Sequence, residues 1–472
     1  MPKVLEVLDN KKEITLNLII MKYDVVIIGS GPAGYVAAIR AGQVGLKTVI
    51  VEKDKIGGMC LNWGCIPSKS IIESAKLYRK IKHEASSFGI TGLDANNIGF
   101  DWNQSIKRTN VIVKKLTAGI NFLLKKNGVE IINGTAKIIS GNSVLIDNRL
   151  IEADNVIIAT GSNQEKINSS LPENLIVEIS QLFKEREVPN NIVVFGQNTV
   201  AIELAQLFNL IEKNVTLLVP DKKIMPLADD YISEYVRNLL LKSGVKIIFD
   251  IDSNLNGFEY NEGNMIANEI KIPCDILINS KMRRSLVPES DVVINVENGF
   301  IVTDENLRTN VPSIFAIGDV NGKSYFAHIA SAEGLHVINH IKGVEEKINF
   351  KKFPLNMYTV PEVAQIGYNE NELKKNEIDY KVSEFSLASN GKAMTEGDNV
   401  GFIRILSENK YGEVLGVQIV APHATDMIAE AAAFMQVEST VYDVAKTVHA
   451  HPTISEIFME AGLEAVDKVI HK

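Results

Sequence analysis

The alternation of apolar and polar positions near the start of the chain predicts two strands joined by a helix. The segment 23–28 ends in a continuous apolar run, which is typical of a parallel strand that is buried on both faces. A glycine-rich turn follows it directly, then an alanine-rich helical segment, and then a second apolar run over residues 48–52. This order predicts a complete βαβ unit.

A second unit of the same kind begins at residue 191. Residues 191–195 form an apolar run, Gly196 marks a turn, and residues 201–210 and 215–219 read as a helix and a returning strand. Two such units predict two dinucleotide domains of the Rossmann type. Beyond about residue 350 the pattern changes to alternating strands followed by apolar helices, which predicts a separate α+β domain.

Composition narrows the class of protein. The chain has 472 residues, of which 46% are hydrophobic and 23% charged, as in folded globular proteins. The net charge of −9 disfavours nucleic-acid binding, and no apolar run is long enough to suggest a membrane span. Three cysteines are too few for a disulfide framework, so we expect a reducing, cytoplasmic location. Residues 1–20 do not fit a targeting peptide and are predicted to be an extension without function.

The glycines of the first unit carry a nucleotide-binding pattern. Gly29, Gly31 and Gly34 allow a tight turn and a close approach of backbone N–H groups to a pyrophosphate. Glu52 ends the second strand, where a carboxylate accepts hydrogen bonds from a ribose. Two later strand ends fit the same ligand, and they carry Thr160, Gly161 and Asp319.

Two cysteines close together provide candidate chemistry. Cys60 and Cys65 could begin a zinc site, but zinc requires four ligands and Cys274 is isolated. Redox chemistry is the remaining interpretation. A five-residue spacing at a helix start can hold two sulfurs within disulfide range, and the helix dipole lowers a thiol pKa.

The segment 57–69, Gly-Gly-Met-Cys-Leu-Asn-Trp-Gly-Cys-Ile-Pro-Ser-Lys, resembles the active-site segment of the pyridine nucleotide-disulfide oxidoreductases, and within them of the dihydrolipoamide dehydrogenases. The resemblance extends from residue 22 to about residue 465. It implies FAD as cofactor, Cys60 as the thiol that exchanges with substrate, and Cys65 as the thiolate beside the flavin. It also implies that Lys69 pairs with Glu203 near the flavin.

A histidine near the C-terminus matches the same resemblance. His451 is followed by proline, and Glu456 follows five residues after His451. A base of near-neutral pKa that is oriented by a carboxylate is what thiol exchange requires. The resemblance implies that His451 acts on the cysteines of the other subunit of a homodimer.

The resemblance also implies a set of binding residues, domains and partners. The implied FAD contacts are Gly29, Gly31, Gly34, Glu52, Lys53, Gly58, Lys69, Ala136, Thr160, Gly161, Asp319 and Ala327, with Gly196 and Glu203 on the NAD side and no metal ligand. The implied domains are an extension (1–20), an FAD-binding domain (21–155 and 281–350), an NAD(P)-type domain (156–280) and a dimerisation domain (351–472). The implied partner is a lipoyl domain of a 2-oxoacid dehydrogenase or of the glycine cleavage system, with no nucleic-acid or membrane partner.

The second unit departs from the family at three positions. Asn198 replaces a glycine of the turn, Val219 stands where an NAD-binding member has glutamate, and Lys281 replaces another glycine. Lys222 and Lys223 could face the 2′-phosphate of NADP, but they do not compensate for Asn198 or Lys281. We therefore hypothesise that nicotinamide binding is weakened or lost while the flavin and dithiol chemistry is retained.

Three functions remain open on the sequence alone. The first is oxidation of protein-bound dihydrolipoamide through the cysteine pair, FAD and then NAD. The second is a diverged relative that uses another electron acceptor or another disulfide substrate. The third is a non-catalytic FAD-containing scaffold, although the presence of both thiols with His451 and Glu456 argues against it.

Overall fold

A computed structural model describes residues 21–267, 270–345 and 347–471, and the predicted extension 1–20 lies outside them. The helices are Pro32–Gln43 (α1), Gly58–Asn62 (α2), Cys65–Glu84 (α3), Trp102–Lys126 (α4), Ile179–Leu182 (α5), Thr199–Leu210 (α6), Asp230–Lys242 (α7), Ala327–Ile341 (α8), Glu370–Lys375 (α9), Gly391–Glu396 (α10), Ala424–Gln436 (α11), Val441–Lys446 (α12) and Glu456–Ala465 (α13). The strands are Met21–Ile28 (β1), Thr48–Glu52 (β2), Glu130–Asn133 (β3), Ala136–Ser140 (β4), Ser143–Ile146 (β5), Arg149–Ile158 (β6), Ser162–Gln164 (β7), Ile176–Glu178 (β8), Asn191–Phe195 (β9), Asn214–Leu218 (β10), Lys246–Ile248 (β11), Glu259–Asn261 (β12), Asn264–Ala267 (β13), Ile270–Pro273 (β14), Ile276–Asn279 (β15), Arg283–Ser285 (β16), Val296–Glu297 (β17), Phe300–Ile301 (β18), Ile314–Ala316 (β19), Leu355–Met357 (β20), Glu362–Gly367 (β21), Tyr380–Ser386 (β22), Phe402–Glu408 (β23) and Val414–Ala421 (β24).

The first sheet is built around β1. Its strand order is β3-β2-β1-β6-β5-β4, and β19 pairs with β6. β1 is parallel to both β2 and β6, and β19 is parallel to β6. Val25 and Ile27 pack into one buried cluster, whereas Val26 and Ile28 pack into another. Both faces of β1 are therefore covered, which explains its continuous apolar run.

The second sheet has the order β11-β10-β9-β15-β8 and is parallel throughout. Its central strand follows the same rule as β1, because Ile192 and Val194 pack on one side and Val193 and Phe195 on the other. The strand order reverses between β9 and β15. Such a reversal opens a crevice at the carboxyl edge of a parallel sheet.

The C-terminal sheet is antiparallel, with the order β20-β21-β24-β23-β22. Ile403 and Ile405 of β23 pack with Phe458 of α13 on one face. Phe402 and Val420 belong to the buried cluster of the second sheet. This domain is thus packed against the second nucleotide-type unit, and the residue boundaries predicted for each domain remain predictions.

Candidate active site

Two helices meet at the cysteine pair. α2 carries Cys60 and α3 begins at Cys65, so the thiols lie on separate helices rather than at a single helix start. The turn before α2 requires glycine, because Gly57 and Gly58 have φ of 94° and 58°. A Cβ atom on Gly58 would lie 2.8 Å from the Cα atom of Gly31. The dithiol segment is therefore packed directly against the glycine-rich turn of the first sheet.

The two thiols hold a proton unequally. The hydrogen bond from Cys60 lowers the pKa of Cys65 to about 7 against the opposing effect of burial, and Lys69 adds to the lowering. The same hydrogen bond raises the pKa of Cys60, and burial raises it further. The first residue of a helix is also a position where the helix dipole stabilises a thiolate. In its dithiol form the pair therefore loses a proton from Cys65 more readily than from Cys60.

A partly buried ion pair joins the helix of the cysteines to the second unit. Lys69 Nζ in α3 lies 2.6 Å from Glu203 Oε2 in α6. The other oxygen of Glu203 accepts a hydrogen bond from the Tyr358 backbone N–H at 2.9 Å, and Lys69 Nζ lies 4.6 Å from the Tyr358 ring centroid. Burial acts to lower the pKa of Lys69, but the Glu203 carboxylate outweighs it and the pKa is raised. Lys69 is therefore a cation beside the cysteine pair.

Two of the three glycines in the turn of the first sheet are closely packed, and the third, Gly31, faces open space. A Cβ atom on Gly29 would lie 2.3 Å from the Ala159 carbonyl oxygen, and one on Gly34 would lie 2.0 Å from the Gly29 carbonyl oxygen. Gly31, at the N-terminus of α1, has no atom within 4 Å of a Cβ position and no side-chain cap on its helix. Thr160 Oγ1 is buried and makes no hydrogen bond to any described residue. These groups fit a dinucleotide such as FAD.

The carboxylates of this crevice are held by protein groups. Glu52 Oε2 accepts hydrogen bonds from the Ser30 backbone N–H at 2.9 Å and from Ser30 Oγ at 2.6 Å. Asp319 Oδ2 accepts a hydrogen bond from Ser162 Oγ at 2.6 Å and lies 2.8 Å from Arg283 Nη2. The positions of both carboxylates are thus fixed, and their contacts with ribose and ribityl hydroxyls remain predictions.

Arg283 links this carboxylate to the dithiol segment. Its Nη2 lies 3.0 Å from Met59 Sδ, next to Cys60, and its charge contributes to the lowered pKa of Cys65. Sequence reasoning assigns no role to Arg283. Its sequence neighbours provide no signal, because the contacts it makes are with residues more than 30 positions away.

A buried carboxyl group supports the turn before Asp319. Glu333 in α8 is 1% exposed, and its Oε2 accepts hydrogen bonds from the Gly318 backbone N–H at 2.5 Å and from Asn321 Nδ2 at 3.0 Å. Burial raises the pKa of Glu333 to about 7. Sequence reasoning did not identify this residue, since a glutamate within a helix ordinarily faces solvent.

The remaining predicted FAD residues lie at element ends of the first unit. Lys53 follows β2 and is exposed, and Gly161 follows β6 with a φ of 73°. Ala136 begins β4 and is buried, and Ala327 is the first residue of α8. Their contacts with FAD remain predictions.

The crevice of the second sheet is crossed by protein side chains. A Cβ atom on Gly196 would lie 2.2 Å from the Ser280 carbonyl oxygen, so the ends of β9 and β15 approach closely. Asn198 caps α6 by accepting from the Ala201 backbone N–H at 3.0 Å, and its Nδ2 donates to the Ser280 carbonyl at 2.9 Å. Lys281 is 7% exposed. Asn198 therefore caps α6, whereas α1 has no side-chain cap, and Lys281 is buried at the same edge of the sheet.

Two of the acid and histidine pairs in the C-terminal domain involve the segment 449–456. His451 Nδ1 lies 2.9 Å from Glu456 Oε1, and the other oxygen of Glu456 accepts from the Thr453 backbone N–H at 2.9 Å. The His451 side chain is 81% exposed. His449 is 7% exposed, its Nε2 lies 2.6 Å from Glu430 Oε1, and burial partly opposes the raised pKa that this carboxylate produces. Sequence reasoning gave His449 and Glu430 no role.

Comparison with known proteins agrees with this geometry. The family model described as pyridine nucleotide-disulphide oxidoreductase matches residues 23–334, and the dimerisation domain of the same family matches residues 353–462. The chain belongs to this family. The family resemblance, the α/β fold class and the assignment as an oxidoreductase are confirmed. Membership of the family implies FAD and NAD(P) binding.

The relatives include dihydrolipoyl dehydrogenases of bacteria and plants. The chain is 34% identical to one from Bacillus subtilis over 94% of this chain and 99% of that protein. It is 35% identical to one from Geobacillus stearothermophilus over 95% and 97% of the two chains, and 33% identical to the mitochondrial enzyme of Pisum sativum over 95% and 92%.

Two solved structures share the fold. LpdA from Mycobacterium tuberculosis superposes with a TM-score of 0.85 at 22% identity, over 94% of this chain and 99% of that chain. The HOCl-induced flavoprotein disulfide reductase RclA from Escherichia coli gives 0.81 at 22% identity, over 92% and 98%.

Two other features of the described residues bear on function. None of the helices in the ranges 21–267, 270–345 and 347–471 combines the length and apolarity needed to cross a bilayer. In the same ranges no three residues among histidine, cysteine, aspartate and glutamate are arranged to hold a metal ion. The described site is thus composed of thiols, an ion pair and nucleotide crevices.

Proposed function

We propose that this chain oxidises protein-bound dihydrolipoamide through a Cys60–Cys65 disulfide and FAD, as one subunit of a homodimer. The observation that carries the proposal is the placement of the Cys60 and Cys65 segment, which packs against the glycine-rich turn of the first sheet and begins the helix whose Lys69 pairs with Glu203. The lowered pKa of Cys65, to which the Lys69 charge contributes, supports it. A scaffold does not need two thiols beside a partly buried cation. The relatives named dihydrolipoyl dehydrogenase indicate the substrate class.

The thiol exchange conserves atoms and electrons. One sulfur of dihydrolipoamide attacks Cys60 in the oxidised pair, the Cys60–Cys65 bond breaks, and Cys65 leaves as the thiolate that its lowered pKa favours. The second substrate sulfur attacks the mixed disulfide, lipoamide is released, and Cys60 receives a proton. FAD, when bound in the first crevice, supplies a two-electron acceptor for the resulting protein dithiol.

A base is required because the substrate thiols must lose their protons. The proposed base is the partner subunit's His451, held by Glu456. Its exposure of 81% in a single chain supports this role, since a base that acts on another subunit must lie on the surface of its own. The matched dimerisation domain supports the homodimer.

We propose that nicotinamide binding is weakened or absent, so that the electrons pass from the flavin to another acceptor. The alternative is that NAD is the acceptor. The side chains of Asn198 and Lys281 in the second crevice support this interpretation. NADP gains little support, because Lys223 pairs with Asp230 and donates to the Ala228 carbonyl oxygen. The lipoyl domain as partner and the cytoplasmic location are part of the same proposal.

The test is an anaerobic titration of the purified FAD-containing protein with dihydrolipoamide. We expect reduction by two electrons and a long-wavelength absorbance band from a thiolate beside the flavin. Steady-state oxidation of dihydrolipoamide is then compared with NAD, NADP and an artificial dye as acceptors. If the flavin stays oxidised throughout the titration, the proposed oxidation of dihydrolipoamide is wrong, and the result favours the non-catalytic FAD-containing scaffold.

Subunit mixing tests the composite site. The variants Cys60→Ser and His451→Gln are each expected to be inactive as homodimers. After exchange of subunits at equal amounts, about one quarter of the sites combine an intact cysteine pair with an intact histidine, so about one quarter of the activity returns. Histidines that act within their own chain would restore none. His83→Gln, at a half-exposed histidine of α3, is the matched control.

A further inference from the structure

Lys281 lies at the carboxyl end of β15, inside the crevice of the second sheet. Its side chain is 6% exposed. Nζ donates to Asn254 Oδ1 at 3.2 Å and to the Lys166 carbonyl oxygen at 3.3 Å, and it lies 3.8 Å from Glu165 Oε1. A buried ammonium group requires such partners, because an unpaired charge away from water is costly.

These contacts place the side chain across the sheet edge. Asn254 belongs to the segment that follows β11, and this segment is hydrogen-bonded to the end of β10 through Ile251 N–H and the Val219 carbonyl oxygen at 3.1 Å. β10 and β15 lie on opposite sides of β9 in the sheet. The Lys281 ammonium group therefore joins the end of β15 to the segment that follows β11.

The spanned edge is the place where a dinucleotide would lie. In open parallel sheets, ligands bind outside the carboxyl ends of the strands where the strand order reverses, which here is between β9 and β15. A cleft of about 360 Å³ occupies this place, and its lining includes Gly196, Gln197, Asp221, Ser253 and Lys281.

Asn198 closes the same crevice from the helix side. Its Oδ1 accepts from the Ala201 backbone N–H at 3.0 Å and from Ser280 Oγ at 3.2 Å, while its Nδ2 donates to the Ser280 carbonyl at 2.9 Å. The helix N-terminus that would receive a pyrophosphate is thus capped internally. One side chain ties α6 to the end of β15.

We propose that the Lys281 side chain excludes NAD and NADP from the second crevice, and that Asn198 assists it by holding the N-terminus of α6 to the end of β15. This inference rests on the proposed function, because it explains why electrons would leave the flavin by another route. A dinucleotide can enter only after the contacts of Lys281 with Asn254 and Lys166 break, which leaves the ammonium group without its partners.

The experiment compares NADH binding and flavin reduction in the FAD-containing protein. The variants are Lys281→Ala, Lys281→Met, Asn198→Gly and the double variant Asn198→Gly with Lys281→Gly. Lys271→Ala, at an exposed lysine of β14, removes the same charge outside the crevice and is the matched control. NADH affinity is measured by calorimetry, and flavin reduction by NADH is followed anaerobically in a stopped-flow instrument.

The expected order of NADH affinity is double variant, then Lys281→Ala, then wild type and Lys271→Ala together. We expect at least about a tenfold gain for Lys281→Ala, which is about 1.4 kcal/mol. Lys281→Met keeps the aliphatic part of the side chain and should gain less than Lys281→Ala. A lysine that instead binds pyrophosphate would give the reverse order, with weaker binding in Lys281→Ala, and would overturn the proposal.

Two further results would also overturn it. One is tight NADH binding by the wild-type protein, and the other is a double variant that stays folded, as judged by bound FAD, yet binds NADH no better. Failure of the proposed function is a separate result. In that case dihydrolipoamide leaves the flavin oxidised in every variant, whatever their NADH affinities.

Discussion

The two nucleotide-type units share a backbone plan and differ at the carboxyl edge of their sheets. In each, a central strand is buried on both faces, and the first glycine after it faces a carbonyl oxygen that a Cβ atom would approach within 2.3 or 2.2 Å. The helix that follows is uncapped at Gly31 in the first unit and is capped by Asn198 in the second. The two units therefore have similar strands and differ at the residue before the helix, which is Gly31 in the first unit and Asn198 in the second.

The consequence is an asymmetry in free hydrogen-bonding groups. The first helix offers backbone N–H groups that only a ligand or water can satisfy, which favours an anion. The second helix has one of these N–H groups satisfied by its own side chain. The two units thus share the family's fold and differ in whether a side chain caps the helix N-terminus.

The largest expected effect comes from the dithiol of the first unit. Cys65→Ser removes the redox partner of Cys60, so reduction of the flavin by dihydrolipoamide should fall by at least about 10³-fold. Single-turnover absorbance measures this loss. Cys274→Ser removes a fully buried thiol of the second unit and should leave the rate unchanged. Equal losses in both variants would contradict the assignment of the chemistry to the first unit.

The second prediction concerns Gly31, where an asparagine would cap α1 as Asn198 caps α6. Gly31→Asn places a capping side chain where no atom lies within 4 Å, so the change should be accommodated by the fold. It should reduce FAD affinity about 100-fold, because the asparagine competes for the N–H groups of α1. FAD content and affinity are measured by absorbance and fluorescence. Gly99→Ala, also in open space, is the control, and unchanged FAD affinity in Gly31→Asn would refute the comparison.

The pH dependence of alkylation is the third prediction. Because the pKa of Cys65 is lowered to about 7, its thiolate fraction rises as pH increases through 7 and is lost as pH falls below it. Alkylation of the reduced protein by iodoacetamide should therefore accelerate about tenfold between pH 6 and pH 8 and level off above it. Peptide mapping assigns the modified cysteine. A rate that rises only above pH 8 would show an ordinary thiol.

The smallest effect on catalysis is expected at the pair of His449 and Glu430. His449→Gln keeps a hydrogen-bond donor to Glu430 but loses the cation and the stacking on Phe458, whose ring centroid lies 6.3 Å away. As a positioning residue for the loop of His451, it should lower kcat about threefold and shift the pH profile of kcat, with KM little changed. Glu430→Gln should do the same. An unchanged pH profile would indicate a structural role only.

Much of the fold could be predicted because burial is repeated along the sequence. Apolar runs predict the strands 23–28, 48–52, 191–195 and 215–219, which correspond to β1, β2, β9 and β10, except that β10 ends one residue earlier, at Leu218. The cysteine pair was also found from sequence, but its placement on two helices was not, since five residues do not reveal a helix end.

The roles of single side chains were harder to predict. Asn198 was expected to obstruct a ligand, but its hydrogen bonds to Ser280 join residues 82 positions apart. Arg283, Glu333 and Glu430 were not predicted, because each acts through partners that only the packed domains bring near.

The sequence by itself determined the two βαβ units, the glycine turns, the redox pair and the membership of a family, because these depend on local spacing and on periodic burial. Only the tertiary structure decided which thiol keeps the proton, which cation faces Glu203 and what crosses the second crevice. The physical reason is that hydrogen bonds and charge interactions act over a few ångströms in space. A single sequence does not state which distant residues will meet at that range.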